Sequence, residues 1–118
     1  MQIVGSLSEN IINLFNLSYE KDSKILLTKD RKKHMLKHKN EFSDFEKTYS
    51  RIDEIIQNPD FVGMHPSGES IEFIKRLDET VLVAVRLNKN LNVKTMYVIS
   101  ETKLNNYVKS GRTKKIVL

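Results

Sequence analysis

The feature that most constrains this chain is a change of hydrophobic period at Asn58-Pro59-Asp60. Before it, Phe42, Phe45, Tyr49, Ile52, Ile55 and Ile56 step by three, four, three, three and one. That spacing is one face of a helix over about Phe42 to Gln57. Asn58-Pro59 ends it, because the residue before a proline avoids the helical region. After it the chain reads in strands. Phe61-Val62-Gly63 begins an extended segment, and His65 to Gly68 is a loop. Ser70 to Leu77 sets Ile71, Phe73 and Leu77 against Glu72 and Lys75, which predicts a half-buried strand. Val81 to Leu87 is apolar on both faces until Arg86, the mark of a central strand. Asn88 to Asn92 is a polar hairpin turn. Val93 to Ile99 is a further strand, with Thr95 and Tyr97 on the face opposite Lys94, Met96 and Val98. Helices followed by a meander of about four antiparallel strands predict an α+β fold.

The flanks extend this order. Ser6 and Glu9 have capping-box spacing, and Leu7, Ile11, Ile12, Leu14 and Phe15 form a helical stripe behind them. A first helix is therefore expected over about Leu7 to Asn16, with Ile3-Val4 a short strand or strap. Lys24 to Leu27 reads as a brief extended piece. Thr28 is placed to cap a helix over about Lys29 to Lys39, which buries Met35 and Leu36. Ser100 caps a short helix to about Lys109, Gly111 stops it, and Thr113 to Leu118 returns as an edge strand. At 118 residues the chain is one domain's worth.

Charge is unevenly placed. The formal net charge is +5, and six of the eleven residues from Lys29 to Lys39 are Lys or Arg. Lys103, Lys109, Arg112, Lys114 and Lys115 follow near the C-terminus with no acid among them. If the fold joins these segments, the surface attracts a polyanion such as RNA. A solvated basic face is the plainer alternative. The chain has no Cys, which excludes disulfides, Cys-ligated zinc and thiolate catalysis. No apolar run approaches the roughly 20 residues of a membrane span. The N-terminus lacks the pattern of a signal peptide, so a soluble cytoplasmic protein with no membrane partner is expected.

His34 and His38 are four residues apart on a predicted helix and share a face. Such a pair is half of a zinc site, but the Glu of His-Glu-x-x-His is missing, and a third ligand must come from His65 or a carboxylate. Lys33, Lys37 and Lys39 around the pair repel a cation, so neither a metal nor another cofactor is expected. Acid–base work is the second reading, and a bystander pair on a basic helix the third. Arg86 is costly on a central strand unless it is paired, for which Glu72 is the candidate, or faces an open cleft. No Gly-rich phosphate loop or Gly-x-Ser-x-Gly elbow is present, since Gly5, Gly63, Gly68 and Gly111 are scattered.

Taken in order, Val4-Gly5-x-Leu7, Ile25-Leu-Leu-Thr28 before a His-x-x-x-His helix, Asn58-Pro-Asp-Phe-Val-Gly63, Ser70-Ile-Glu-Phe-Ile-Lys75, Val81-Leu-Val-Ala-Val-Arg86, Lys94-Thr-Met-Tyr-Val-Ile99 and Lys109-Ser-Gly-Arg112 are distinctive. The string resembles the phage-associated nuclease-like domains of the barnase–EndoU–colicin–RelE superfamily, over nearly the whole chain. The resemblance implies N-terminal helices packed on a four-stranded antiparallel sheet. It also implies metal-independent RNA cleavage, with a helix His, a strand cation and a later Thr. Carried over by position, these are His34 or His38, Arg86 and Thr95. Lys33, Lys37, Lys94, Tyr97, Lys103 and Arg112 are then the expected substrate contacts, and Tyr97 or Tyr107 is placed to stack a base. A toxin of phage or prophage origin, acting inside a bacterial cell, would have an immunity or antitoxin protein as partner. Two further readings compete. One is a non-catalytic accessory or inhibitor module that binds nucleic acid or protein. The other is a head-assembly domain, which a large apolar surface patch would mark.

Overall fold

The computed structural model describes residues 1–116. Its centre is a mixed sheet of seven strands, not the expected four. They are β1 (Gln2–Ser6), β2 (Lys24–Leu27), β3 (Phe61–Met64), β4 (Ser70–Arg76), β5 (Thr80–Arg86), β6 (Asn92–Val98) and β7 (Thr113–Lys115). The spatial order is β1-β2-β6-β5-β4-β3-β7. All pairings are antiparallel except β2 with β6, which touch in parallel only at Leu26 and Asn92. The shortfall in the expected number has a physical cause. Strands of three to five residues are too short to display a period of two. The long meander of β4, β5 and β6 is where the sequence places it.

Five α-helices accompany the sheet: α1 (Glu9–Phe15), α2 (Lys29–Met35), α3 (Phe45–Tyr49), α4 (Ile52–Gln57) and α5 (Glu101–Lys109). Their ends correct several expectations. Ser6 is drawn into β1 opposite Lys24, so Ser8, not Ser6, caps α1 by accepting from the Ile11 amide at 3.3 Å. The basic helix ends at Met35, and a 3₁₀ turn over Leu36–Glu41 follows. The helix expected over Phe42 to Gln57 is two helices. Arg51 leaves helical geometry, and the Ser50 hydroxyl turns back to donate to the Lys47 carbonyl at 2.6 Å. The break lets Phe45 and Ile52, Ile55 and Ile56 all reach the core. Only α5 ends and begins as read, with Ser100 accepting from the Lys103 amide at 3.0 Å and Gly111 taking φ 83° past its end. The expected final strand is seen as β7, and its last two residues lie outside the described ones.

The sheet has two covered faces. On one, Val62, Ile71, Phe73, Val81, Val83, Val85, Val93 and Met96 pack with the residues of the N-terminal helices. On the other, Leu104 of α5 packs on Phe61, Ile74, Leu82 and Ala84. Coverage from both sides explains why β4 is buried from Ser70 through Ile74 and is not the half-buried strand its alternation suggests. Gly63 is required where β3 lies between β4 and β7. A Cβ there would stand 2.6 Å from both the Arg112 carbonyl oxygen and the Thr113 hydroxyl. Among the described residues no helix is long and apolar enough to cross a membrane.

Candidate active site

The second face of the sheet opens beyond Ala84. Side chains on a strand alternate, so Arg86 follows Leu82 and Ala84 onto that face of β5. On β6, Tyr97 and Thr95 lie opposite Leu82 and Ala84. Between Ala84 and Val85 the register shifts, because Thr95 pairs with Ala84 while Val93 pairs with Val85. Lys94 is the extra residue of a β-bulge. The bulge keeps Val93 with Met96 in the core and leaves Thr95 and Tyr97 on the open face.

The α2 helix and the 3₁₀ turn lie along the outer edge of β6, where β2 no longer pairs. Two side chains fasten them. Arg31 donates through Nε and Nη2 to the Lys94 carbonyl at 3.0 and 2.7 Å. Glu41 Oε1 accepts from the Val98 amide at 3.0 Å. This docking brings both histidines to the open face. His38 sits in the 3₁₀ turn, with its ring centroid 5.7 Å from that of Tyr97, and its Nδ1 is 2.6 Å from Glu41 Oε2. His34, one turn earlier, is exposed. Partial desolvation lowers its pKa from the ordinary 6.5, and the nearby Lys37, Arg31, His38 and Arg86 lower it further.

Arg86 is half-buried and makes no ion pair or side-chain hydrogen bond among the described residues. Its candidate partner, Glu72, is engaged elsewhere. Glu72 is 1% exposed and receives two bonds from Arg112, Nε to Oε1 at 2.9 Å and Nη2 to Oε2 at 2.7 Å. Arg86 therefore faces a polar pocket lined by Ser70, Glu69, Asn88 and Lys94. Thr95 Oγ1 is buried with no hydrogen-bond partner among the described residues. Burial pushes Tyr97 up to about 12, with Glu72 reinforcing the shift, so its phenol stays protonated and able to donate.

The remaining expected contacts ring this face unevenly. Lys94 joins Arg86 in the pocket, Lys37 faces His34, and Lys33 is exposed on α2. Lys103 Nζ lies 5.8 Å above the Tyr107 ring. Arg112 is stacked on Tyr107 at 3.8 Å while it holds Glu72, so its guanidinium is committed to the protein. His65 lies apart in the β3–β4 turn, bonded to Ser67. Among the described residues no three His, Asp or Glu side chains gather as a metal site. Sequence reasoning missed Glu41 and took Glu72 only as a partner for Arg86. The available signals were the i, i+3 spacing of His38 and Glu41, and a lone carboxylate inside an apolar strand.

A sheet face bearing two imidazoles, a guanidinium unpaired among the described residues and hydroxyl groups can transfer protons and stabilise a phosphoryl anion. No curated protein and no solved structure matches this sequence. The model of one family, described as phage-Barnase-EndoU-ColicinE5/D-RelE like nuclease 3, matches residues 1–106, from β1 into α5. That span holds the sheet's central meander, both site histidines, Arg86, Thr95 and Tyr97, and the chain belongs to this family of phage nuclease-like domains.

Proposed function

We propose that this domain is a metal-independent endoribonuclease that works as a phage- or prophage-encoded toxin inside a bacterial cell. RNA supplies its own nucleophile, the 2′-hydroxyl. His34, held neutral by its cationic surroundings, takes the 2′-hydroxyl proton as that oxygen attacks phosphorus. His38 gives a proton to the departing 5′-oxygen. The products are a 2′,3′-cyclic phosphate and a 5′-hydroxyl, and the proton count balances. Arg86, with Lys94 beside it, faces the charge that grows on the phosphoryl oxygens. Thr95, its hydroxyl buried without a partner among the described residues, positions the same group from the floor of the site, and Tyr97 donates its phenol or stacks a base. Lys33, Lys37 and Lys103 hold the flanking backbone. Arg112 acts through Glu72 rather than on RNA.

The observation that carries this reading is that His38, against Tyr97, and Arg86, unpaired among the described residues, lie on one open sheet face with His34 nearby. The test is incubation of the purified chain with RNA in EDTA, with the products' ends identified. Cleavage leaving cyclic phosphates, abolished in a His34→Ala/His38→Ala variant, is expected. Activity lost on chelation, or kept by the double variant, overturns the mechanism. Salt-sensitive RNA binding without turnover would instead identify a binding module.

A further inference from the structure

Glu41 holds two groups at once. One carboxylate oxygen accepts from the Val98 amide on the edge of β6 at 3.0 Å, and the other lies 2.6 Å from His38 Nδ1. An ionised carboxylate only accepts hydrogen bonds, so the hydrogen in the second contact belongs to the imidazole. We propose that Glu41 is a positioning residue, which uses the β6 backbone as its anchor to keep the proton of His38 on Nδ1 and leave Nε2 for exchange with RNA. The inference rests on the ribonuclease reading for its consequence, though not for its geometry.

Glu41 and His38 are 39% and 28% exposed, so as an ion pair they add little stability. What the contact supplies is orientation. The imidazole has few other restraints: the tilted Tyr97 ring on β6 lies on one side, and His34 is its neighbour on α2. Without an acceptor at Nδ1 the ring is free to rotate and to exchange tautomers. A fixed Nδ1–H leaves Nε2 with a lone pair when the ring is neutral and with an N–H when it is charged, the two states that proton transfer uses. Glu41 is fixed in turn because its other oxygen bonds backbone rather than another mobile side chain.

The substitution Glu41→Gln tests this, because it keeps the shape but cannot accept at both ends. If the amide oxygen stays on the Val98 N–H, the NH₂ group faces Nδ1 and forces the opposite tautomer. The readout is the pair of ring-nitrogen chemical shifts of His38, measured by NMR at mildly alkaline pH in the full chain. The parent is expected to carry its proton on Nδ1 and the variant on Nε2. With RNA, kcat is expected to fall about 10²-fold or more while KM changes little. In a His38→Ala background the same substitution should cost nothing further. Unchanged ring shifts in the variant overturn the proposal whatever the rate does, as does a further loss without His38. A tautomer flip in a parent chain that cuts no RNA upholds the coupling and overturns the ribonuclease reading.

Discussion

Replacing Arg112 with Ala is expected to destabilise the fold by about 3 kcal/mol. The figure follows from what is stranded. Glu72 is 1% exposed and receives both of its ion-pair hydrogen bonds from this one guanidinium. Charge-assisted bonds contribute roughly 1.5–3 kcal/mol each, and breaking a buried pair by removing one partner costs about 3–5 kcal/mol. Arg112 itself is 17% exposed, so its removal admits some water and favours the low end of that range. The Tyr107 ring, 3.8 Å from the guanidinium, loses its stacking partner as well. For a domain of this size the melting temperature should fall by about 12 °C. The chain has no Trp, so urea and thermal unfolding are best followed by far-UV circular dichroism. The control is a Glu72→Met/Arg112→Met variant, in which both charges are gone and an apolar contact replaces them. It should be at least about 2 kcal/mol more stable than Arg112→Ala, since removing both partners of a buried pair is far milder than removing one. A cost below about 1 kcal/mol for Arg112→Ala, or a double variant no better than the single one, would refute the reasoning.

Three further outcomes are expected. His34 must be neutral to act as a base, so kcat/KM should rise with pH through its pKa. Because that pKa lies below the ordinary 6.5, the acid limb of a pH–rate profile should have its midpoint below 6.5 and vanish in His34→Ala; a midpoint above that value counts against the assignment. Arg86→Ala should lower kcat/KM about 10²-fold and change the unfolding free energy read from urea curves by less than about 0.5 kcal/mol, because Arg86 pairs with nothing among the described residues. Gly63→Ala should destabilise by roughly 1–3 kcal/mol, read by the same denaturation curves. Its Cβ would meet the Arg112 backbone at 2.6 Å, and a cost near zero would mean that β7 moves aside freely.

The parts of the fold that the sequence makes legible are those whose signals are local. Ser100 caps α5 as its spacing with Lys103 suggests, and the apolar run ending at Arg86 is the central strand. Where tertiary contacts decide, the pattern misleads. Ser6 has capping-box spacing, yet pairing with Lys24 takes it into a strand. Phe42 to Gln57 keeps an unbroken helical stripe, yet Arg51 breaks it so that two short helices follow the sheet. Glu72 alternates as though it faced water, yet it is buried and paired with Arg112, distant in sequence. The site follows the same division. Arg86 stands out because a charge on an apolar strand is locally anomalous. Its freedom from Glu72, the bulge at Lys94 that keeps Thr95 on the open face, and the clasp of Glu41 on Val98 all depend on pairings between separated segments.

The way β6 is finished carries a consequence for how this protein survives in solution. Past Asn92 no strand among the described residues pairs with its outer side, and the Lys94 carbonyl and the Val98 amide there are satisfied by the guanidinium of Arg31 and the carboxylate of Glu41. An unpaired strand edge is a template on which another chain can add a strand. The helix that delivers the histidines is thus also the stopper on that edge. Substitutions that loosen it should bring self-association together with loss of function, so that inactive variants of Arg31 or Glu41 are to be sought among oligomers as well as among monomers.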